Sequence, residues 1–531
     1  MEYCLAVIVT LVTLCLSSMA NETVYDPPRG AGMYRLTPPE SPAPRINGPA
    51  VFGVRPGSPF LYTIPASGRR PMKFSVEGLP DGLILDEVTG RITGNISDLS
   101  VRDYPLVFHV ENELGSARKT FRIKVGDPIG LAPPLGWNSW NCWGHRVSQE
   151  NVLASARAMV DKGLIHYGWT YINIDDTWQG KRGGPHQAIL PDPDKFPDMK
   201  KLCDDVHALG LKIGIYSTPW VTSYAGYIGG SSDNPSGDWN RADFAGKNWH
   251  DRGMNFRYGR YSFATNDAAQ WAEWGIDYLK YDWRPNDTGN TVAMADALEN
   301  SGRDIIYSLS NNGPVGSAKL FEKRVQCWRT TGDLKDRWDS PGPNMNLLQV
   351  WEMHRAWLNA GTRGGPGHFP DADMLVVGQV VERNQGESLR PSRLTADEQY
   401  THISLWALWS CPLLIGCPIE QLDDFTLGLL ANAEVLDVQQ DERGIAGDTV
   451  YNEKDVEIIV KTLADESRAI GLFNRNGKPQ IITVDWRDAG LDGKQIIRDL
   501  WRQKDLGVFE QSFSANVPAH GVVLVRAEPQ K

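Results

Sequence analysis

A lysine and a carboxylate face the same way at the end of an apolar stretch near the middle of the chain. If Tyr278–Asp282 forms a strand, Lys280 and Asp282 point to one side, because side chains alternate along a strand. Burying either charge alone is costly, whereas a close pair partly offsets that cost, and the lysine favours the ionised form of its neighbour. The pattern fits two interpretations equally well: an anionic aspartate at the mouth of a barrel, ready to attack or to stabilise positive charge, or a structural ion pair.

The elements around this stretch alternate between strand-like and helical patterns from about residue 131 to residue 440. The strand candidates are residues 134–137, 171–174, 211–216, 278–282, 305–310, 325–330, 373–377 and 412–415. Eight such units, most of them separated by helical patterns, predict an α/β fold, a (β/α)8 TIM barrel at residues 127–440. A doubly wound sheet is the alternative, but no glycine-rich phosphate loop follows the first strand.

Short alternating runs with turn signals flank the barrel on both sides. Residues 45–126 predict a small β-sandwich, with turns at Gly78-Leu79-Pro80-Asp81-Gly82-Leu83 and Thr89-Gly90-Arg91-Ile92-Thr93-Gly94. These two motifs resemble an immunoglobulin-like module that is often appended to secreted bacterial enzymes. Residues 441–531 predict a C-terminal antiparallel β-sandwich. Residues 21–44 are rich in Pro, Gly and Ser and are typical of a linker.

The N-terminus carries an export signal pattern. An apolar run at residues 4–17 is too short to span a membrane, and Ser18-Met19-Ala20 forms a small-x-small cleavage site. We therefore expect residues 1–20 to be a signal peptide of a secreted or periplasmic protein without a membrane span. The net charge of −11 argues against a nucleic-acid partner, because phosphate binding requires a basic face.

Cysteines are few in the part of the chain that follows the expected cleavage site. They are Cys142, Cys203, Cys327, Cys411 and Cys417. An odd and sparse set is not a disulfide framework, and it allows two bridges at most.

Polar residues cluster at the predicted carboxyl ends of the strands, where barrel enzymes place their active sites. They are Trp140, Asp175, Asp176, Tyr216, Lys280, Asp282, Ser310, Asn311, Arg329, Asp333, Asp371 and Asp373. Acids at several strand ends have three uses: metal ligation, binding of sugar hydroxyls, or catalysis by paired carboxylates. The 19 tryptophans suit a protein that holds sugar rings on flat apolar faces.

Motifs over residues 131–528, in order and at compatible spacings, resemble glycoside hydrolase family 27. Its members are mostly retaining α-galactosidases (melibiases) and α-N-acetylgalactosaminidases. The motifs are Leu135-Gly136-Trp137-Asn138-Ser139-Trp140, Tyr171-Ile172-Asn173-Ile174-Asp175-Asp176-Thr177-Trp178, Leu279-Lys280-Tyr281-Asp282, Trp328-Arg329 with Asp333, Asp371-Ala372-Asp373-Met374-Leu375, Cys411-Pro412-Leu413, and the tail from Arg498-Asp499-Leu500-Trp501 to His520-Gly521-Val522-Val523-Leu524.

The resemblance implies a role for each matching residue, and it implies neither a metal nor a cofactor. Asp282 matches the nucleophile and Asp333 the general acid/base. The matching sugar-pocket positions are Trp140, Asp175, Asp176, Tyr216, Lys280, Ser310, Arg329 and Asp373. A retaining glycosidase needs two carboxyls about 5–5.5 Å apart, one ionised and one protonated. We expect Lys280 to keep Asp282 ionised, and the face of Trp140 or Trp178 to pack against the sugar ring.

Two positions depart from the family pattern. Arg284 stands where many members carry a bridged cysteine, so that disulfide is absent. Ser310 falls where typical α-galactosidases have Glu and the N-acetylgalactosaminidases have Ser, and a small residue there leaves room for a bulky 2-substituent. Asp175, as Asp and not Glu, leaves room for a hydroxymethyl group and argues against a pentopyranoside.

The leading hypothesis is therefore an exported retaining α-galactosidase that acts on an oligosaccharide or glycoconjugate. The first alternative is an α-N-acetylgalactosaminidase or another α-glycosidase of the family. A second is a metal-dependent barrel enzyme that uses Asp175, Asp176, Asp371 and Asp373 as Mg²⁺ ligands. A third is a carbohydrate-binding protein without turnover, which the presence of both Asp282 and Asp333 disfavours.

Overall fold

The central domain is a barrel of eight parallel strands. We describe a computed structural model, which covers residues 24–238, 256–382 and 388–530, so the expected signal peptide at residues 1–20 lies outside the described residues. The strands are β1 (Leu135–Asn138), β2 (Tyr171–Asn173), β3 (Lys212–Ser217), β4 (Tyr278–Asp282), β5 (Ile306–Ser310), β6 (Cys327–Arg329), β7 (Phe369–Asp371) and β8 (Leu413–Ile415). The sheet order is β7-β6-β5-β4-β3-β2-β1-β8, and a parallel bridge between Leu375 and Ile415 links its two edges. The predicted (β/α)8 barrel is confirmed.

Helices surround the barrel and cover its outer face. They are α1 (Gln149–Asp161), α2 (Met199–Ala208), α3 (Ala264–Trp274), α4 (Thr288–Glu299), α5 (Ala318–Arg324), α6 (Leu347–Ala360), α7 (Ala396–Leu408), α8 (Asp424–Leu430) and α9 (Ala433–Gln439). At the N-termini of most of these helices, α3 and α5 excepted, a side chain accepts a backbone hydrogen bond, as Asn346 and Thr395 do in the capping boxes of α6 and α7. Their apolar faces join the strands in one large core that contains Trp137, Trp328 and Trp406.

The register of β4 brings the polar strand ends to one edge of the barrel. Lys280 lies opposite Tyr216 of β3 and Ser308 of β5, and Asp282 lies opposite Ser310. Gly275, at φ 96°, ends helix α3 and turns the chain into this strand, a left-handed conformation that favours glycine. The predicted strand 278–282 has the observed bounds.

Strand β7 differs from the sequence prediction. The prediction of a strand at residues 373–377 is wrong, because the strand is Phe369–Asp371 and the following apolar residues form a buried irregular segment. Asp371 ends the strand, and Asp373 follows in the left-handed region at φ 92°. The run Met374–Val377 is apolar because it is buried, and burial alone does not distinguish a strand from a coil.

Two β-sandwiches flank the barrel. In the N-terminal one, strands Val51–Val54, Lys73–Glu77, Arg102–Asn112 and Gly115–Val125 form one sheet, and Phe60–Thr63, Leu83–Leu85 and Arg91–Gly94 form the other. In the C-terminal one, a six-stranded sheet of Asp448–Glu453, Val456–Thr462, Arg468–Asn474, Gln495–Asp499, Lys504–Phe509 and Val522–Pro529 packs on a pair, Gln480–Asp485 and Ser512–Val517.

Each sandwich makes specific contacts with the rest of the chain. The N-terminal sandwich meets the N-terminal ends of the barrel strands, where Arg55 and Ser58 both bond to Asp304. Residues 24–44, which the composition assigns to a linker, pack along the C-terminal sandwich and the barrel helices. In this segment Tyr25 donates to Asp499 at 2.8 Å and Thr37 donates to the Gly428 carbonyl at 2.7 Å.

Candidate active site

An open cavity of about 320 Å³ lies at the carboxyl ends of the barrel strands. Its lining includes most of the predicted site residues. The residues that line it are Trp140, Asn141, Asp175, Asp176, Tyr216, Tyr224, Lys280, Asp282, Arg284, Asn311, Asn312, Gly332, Asp333, Leu334, Asn344, Met345, Asp373 and Met374. The strand ends therefore bring both proposed catalytic aspartates to one solvent-accessible space.

Asp282 is buried, and a donor holds each of its carboxylate oxygens. The Tyr216 hydroxyl donates to Oδ2 at 3.0 Å, and the Asn311 side-chain amide donates to Oδ1. Burial raises the pKa of Asp282 to about 7; Lys280 opposes this shift and the Asp333 charge adds to it. Lys280 thus acts on Asp282 in the direction that their spacing predicts, toward the ionised form, and burial acts against it.

The direct partner of Lys280 is Asp175, not Asp282. The Lys280 ammonium donates to Asp175 Oδ2 at 2.8 Å, and the Asn138 amide donates to the same oxygen at 2.8 Å. Burial disfavours the charged lysine, but Asp175 and Asp282 outweigh this effect and raise the pKa of Lys280. The Lys280 ammonium also lies over the face of the Tyr216 ring, 5.6 Å from its centre, where a cation–π interaction forms. One buried cation therefore serves two carboxylates at two strand ends.

Asp176 is a second buried acceptor next to Asp175. Its Oδ1 accepts from the backbone N–H of Thr177 at 2.7 Å and from the Gln179 amide at 3.1 Å, and its Oδ2 accepts from the backbone N–H of Ala225 at 2.9 Å. Burial raises its pKa to about 6. Together, Asp175 and Asp176 present adjacent acceptors of the kind that bind neighbouring sugar hydroxyls.

Arg329, at the end of β6, balances the negative charge of two carboxylates in the cavity wall. Its guanidinium pairs with Asp373 at 2.7 Å and reaches Asp333 at 3.4 Å. Burial disfavours the guanidinium charge, but these carboxylates, Asp373 first, raise its pKa. Arg329 does not line the cavity; it lies behind Asp333 and Asp373 and fixes them. The Asp333 side chain is 42% exposed, which gives it access to water and to a leaving group.

Trp140 and Tyr224, together with Tyr216, are the aromatic side chains of the cavity lining. Trp140 lines the cavity, whereas Trp178 is fully buried and donates its indole N–H to the Tyr216 carbonyl at 2.8 Å. Of the two tryptophans that the sequence offers for stacking, Trp140 is in position. Tyr224 is not among the individually predicted site residues, although it lies in the long, aromatic-rich stretch at residues 217–259; it packs against Trp220 and Phe256 with ring centres 5.2 and 4.9 Å apart.

The end of β5 presents Asn311 and Asn312 to the cavity in place of Ser310. Ser310 is 2% exposed and does not line the cavity, although it lies opposite Asp282 in the sheet. Asn311 and Asn312 both adopt left-handed backbone angles, with φ of 69° and 61°, which redirects their side chains. The Asn-Asn-Gly sequence, typical of residues that tolerate this conformation, was the available signal. Arg284 is exposed and lines the rim.

The four aspartates proposed as Mg²⁺ ligands are not arranged as a ligand set. Within the described residues, no group of three or more His, Cys, Asp or Glu side chains is placed to hold a metal ion. Lys280 and Arg329 lie between these carboxylates and supply positive charge to Asp175 and Asp373. Asp371 instead accepts from the backbone N–H of Asp373 at 2.8 Å. The geometry thus favours a cluster neutralised by protein cations.

Two further findings concern the state of the cysteines and the length and polarity of the helices. Cys142, Cys203, Cys327, Cys411 and Cys417 are all buried free thiols. Throughout residues 24–238, 256–382 and 388–530, each helix is too short or too polar to cross a membrane.

Three family models match the chain, and together they cover most of it. A model described as Alpha galactosidase A matches residues 132–251 and 249–441. A model of the alpha galactosidase C-terminal beta sandwich domain matches residues 453–527, and an Ig-domain model matches residues 43–126.

Individual relatives agree with the family models. The chain is 34% identical to alpha-galactosidase 2 of Arabidopsis thaliana over 407 residues, which is 75% of this chain and 90% of that protein. A crystal structure from Bacteroides fragilis matches with a TM-score of 0.80 and 31% identity, covering 94% of this chain and all of that one. A GH27 β-L-arabinopyranosidase from Geobacillus stearothermophilus matches with a TM-score of 0.62 and 28% identity, covering 75% of this chain and 97% of that one.

Proposed function

Because the chain belongs to the alpha-galactosidase family of glycoside hydrolases, we propose that it is a retaining α-galactosidase acting on terminal α-D-galactosyl residues. The observation that carries this proposal is the cavity shared by Asp282 and Asp333, one buried between two donors and the other partly exposed. Two carboxyls in different environments suit the two roles of a double displacement.

The first step forms a covalent glycosyl-enzyme. An ionised Asp282 oxygen attacks the anomeric carbon while the bond from that carbon to the leaving-group oxygen breaks. Protonated Asp333 gives its proton to this oxygen. Tyr216 and Asn311 hold the attacking carboxylate in place, because each donates to one of its oxygens. Lys280 and Arg329 balance the charge of the surrounding acids.

The second step releases the sugar with its configuration retained. Asp333, now ionised, takes a proton from water, and the resulting hydroxide attacks the anomeric carbon as the bond to Asp282 breaks. Both catalytic residues end in their starting protonation states. We assign the sugar hydroxyls to Asp175, Asp176, Lys280 and Asp373, and the apolar sugar face to Trp140.

The test combines a substrate panel with a stereochemical assay. We expect release of p-nitrophenol from the α-galactoside but not from the α-N-acetylgalactosaminide or the β-L-arabinopyranoside. ¹H NMR of the first product should show the α-anomer before mutarotation. Asp282→Asn should abolish turnover while preserving the fold, with Asp304→Asn at the opposite barrel face as a control. A β-anomer as first product, or substantial activity of Asp282→Asn, would refute the mechanism.

Another sugar preference remains the second candidate. A Ser at the end of β5 favours an α-N-acetylgalactosaminidase, but Ser310 is buried and does not line the cavity. Asn311 and Asn312 occupy this part of the wall, so the room that a small residue would provide is filled. Hydrolysis of the N-acetylgalactosaminide in preference to the galactoside would decide for this candidate.

We also propose that the protein is exported and that residues 1–20 are removed. The apolar run and the Ser18-Met19-Ala20 site support this assignment. Mass spectrometry of the protein from its natural host should find Asn21 at the N-terminus. We further propose that the N-terminal sandwich, the barrel and the C-terminal sandwich are three domains, at residues 45–126, 127–440 and 441–531.

A further inference from the structure

The loop that carries Asp333 leaves the barrel and returns to it before helix α6. Its two arms pair through the backbone: the Met345 N–H donates to the Asp333 carbonyl at 2.8 Å, and the Lys335 N–H donates to the Met345 carbonyl at 2.8 Å. The Leu334 N–H donates to Asp373 at 2.7 Å. These bonds tie Asp333 to both arms of the loop, so a displacement of the loop is transmitted to Asp333.

The tip of this loop rests on the C-terminal sandwich. Trp338 is 6% exposed, and its ring stacks on the His520 imidazole with centres 4.4 Å apart and planes 12° apart. Its other neighbour is Trp351 of helix α6, which meets it edge-on at 6.4 Å. His520 belongs to the turn before the last strand of the sandwich. The stack therefore connects the proposed acid/base loop to a different domain.

His520 is itself held in place from its own side. Its Nδ1 lies 2.8 Å from Glu398 Oε1, and Glu398 forms part of the capping box of α7. The Thr401 hydroxyl donates to the His520 carbonyl at 2.8 Å. The ring that Trp338 stacks on is thus fixed by a barrel helix as well as by the sandwich.

We infer that His520 is a positioning residue for catalysis: through Trp338 it fixes the loop that carries Asp333, so that the C-terminal sandwich contributes to proton transfer. This inference rests on the proposed function of Asp333 as general acid/base. A second anchor, the ion pair of Asp336 with Arg390 at 2.5 Å, holds the same loop to the short strand Ser388–Pro391. Loss of the stack therefore shifts the loop rather than unfolding it.

The test exploits the different need of two leaving groups for an acid. His520→Ala should lower kcat/KM for melibiose, whose sugar leaving group needs a proton, by about tenfold or more. For 2,4-dinitrophenyl α-galactoside, whose leaving group departs without a proton, the loss in kcat/KM should stay below about threefold. His520→Phe, which keeps a stacking ring but loses the contact with Glu398, should restore most of the melibiose activity.

Controls separate this inference from the proposed function. His109→Ala, which removes a comparable contact with Glu77 in the N-terminal sandwich, should leave both rates unchanged. Asp333→Ala should show the same dependence on leaving group in larger measure; if it does not, the acid/base assignment fails. If Asp333→Ala shows the dependence but His520→Ala loses both activities equally, or neither, the positioning role is wrong. Trp338→Phe, with its melting temperature recorded, serves if His520→Ala does not fold.

Discussion

Lys280 on β4 donates to Asp175, which follows β2, across 2.8 Å. The two residues lie on alternate strands, and the layers inside a barrel are built from alternate strands. Tyr216 of the intervening strand β3 bonds to Asp282. The charge of Lys280 is thus paired with Asp175, the proposed sugar acceptor, while its field also acts on Asp282, the proposed nucleophile.

Removal of the Lys280 charge should shift the pH profile to higher pH. Lys280 lowers the pKa of Asp282, so in Lys280→Met that pKa rises above about 7. The acidic limb of kcat/KM, which reports the ionisation of the nucleophile in the free enzyme, should move up by one pH unit or more, on the scale of about 1.4 kcal/mol per unit. Lys201→Met, at an exposed helix pair with Asp205, should leave the limb in place, and an unmoved limb in Lys280→Met would contradict the assignment.

Removal of the Asp333 charge should shift the same limb to lower pH. The Asp333 charge raises the pKa of Asp282, so Asp333→Asn should lower it. The measurement requires 2,4-dinitrophenyl α-galactoside at pre-steady state, because this substrate forms the glycosyl-enzyme without an acid. Opposite shifts in Asp333→Asn and Lys280→Met would establish that both act on one carboxylate. Shifts in the same direction would rule out Asp282 as the titrating group.

The buried carboxylate of Asp282 should lower the stability of the folded protein at high pH. Its folded pKa, about 7, lies above the ordinary value of 3.8, so folding binds a proton. The stability from this proton is present below about pH 4 and is lost as the pH rises through 7. Asp282→Asn should therefore raise the melting temperature at pH 8 by about 2 °C or more, and much less at pH 4.

Asp86 provides a matched control, because its pKa is shifted in the opposite direction to that of Asp282. The pKa of Asp86 lies below its usual range, because the backbone N–H of Val88 and the Thr89 side chain donate to it. Its stabilising contribution is present at neutral pH and is lost as the pH falls through that lowered pKa. Asp86→Asn should not stabilise the protein at pH 8. Equal melting temperatures of Asp282→Asn and the parent at pH 8 would mean that the carboxylate is not destabilised by burial.

The strands and the site could be predicted to different degrees from the sequence. Strand β4 was predicted with its observed bounds, because Gly275 marks its start and polar side chains alternate along it. Strand β7 was missed, since Phe369–Asp371 is three residues long and contains a proline, whereas the buried coil after it is rich in Val. Length alone does not explain this difference, because β2, β6 and β8 are equally short and lie within predicted strands. The proline within β7 and the apolar coil after it shift the local pattern to the wrong segment.

The local sequence pattern does not show which side chains pair across the barrel. The spacing of Lys280 and Asp282 indicates a shared face. In the structure, however, Lys280 donates to Asp175, which lies 105 residues earlier in the chain. The stagger of the strands decides which residues share a layer, and no single strand contains that information. The family pattern selects Ser310, whereas in the structure the left-handed backbone of Asn311 turns its amide onto Asp282.

Tyr224 should determine which leaving groups the enzyme accepts. It lines the cavity and packs on Trp220 and Phe256, within the long stretch at residues 217–259, of which residues 239–255 lie outside the described part. Aromatic faces bind the apolar sides of sugar rings, and for scale a pair of stacked aromatic rings gains about 0.5–1.5 kcal/mol beyond area burial. Tyr224→Ala should therefore lower kcat/KM for raffinose by about three- to tenfold, and that for p-nitrophenyl α-galactoside by less. Tyr261→Ala, at an exposed aromatic outside the cavity lining, serves as the control. An unchanged ratio of the two substrates in Tyr224→Ala would exclude a leaving-group role for this residue.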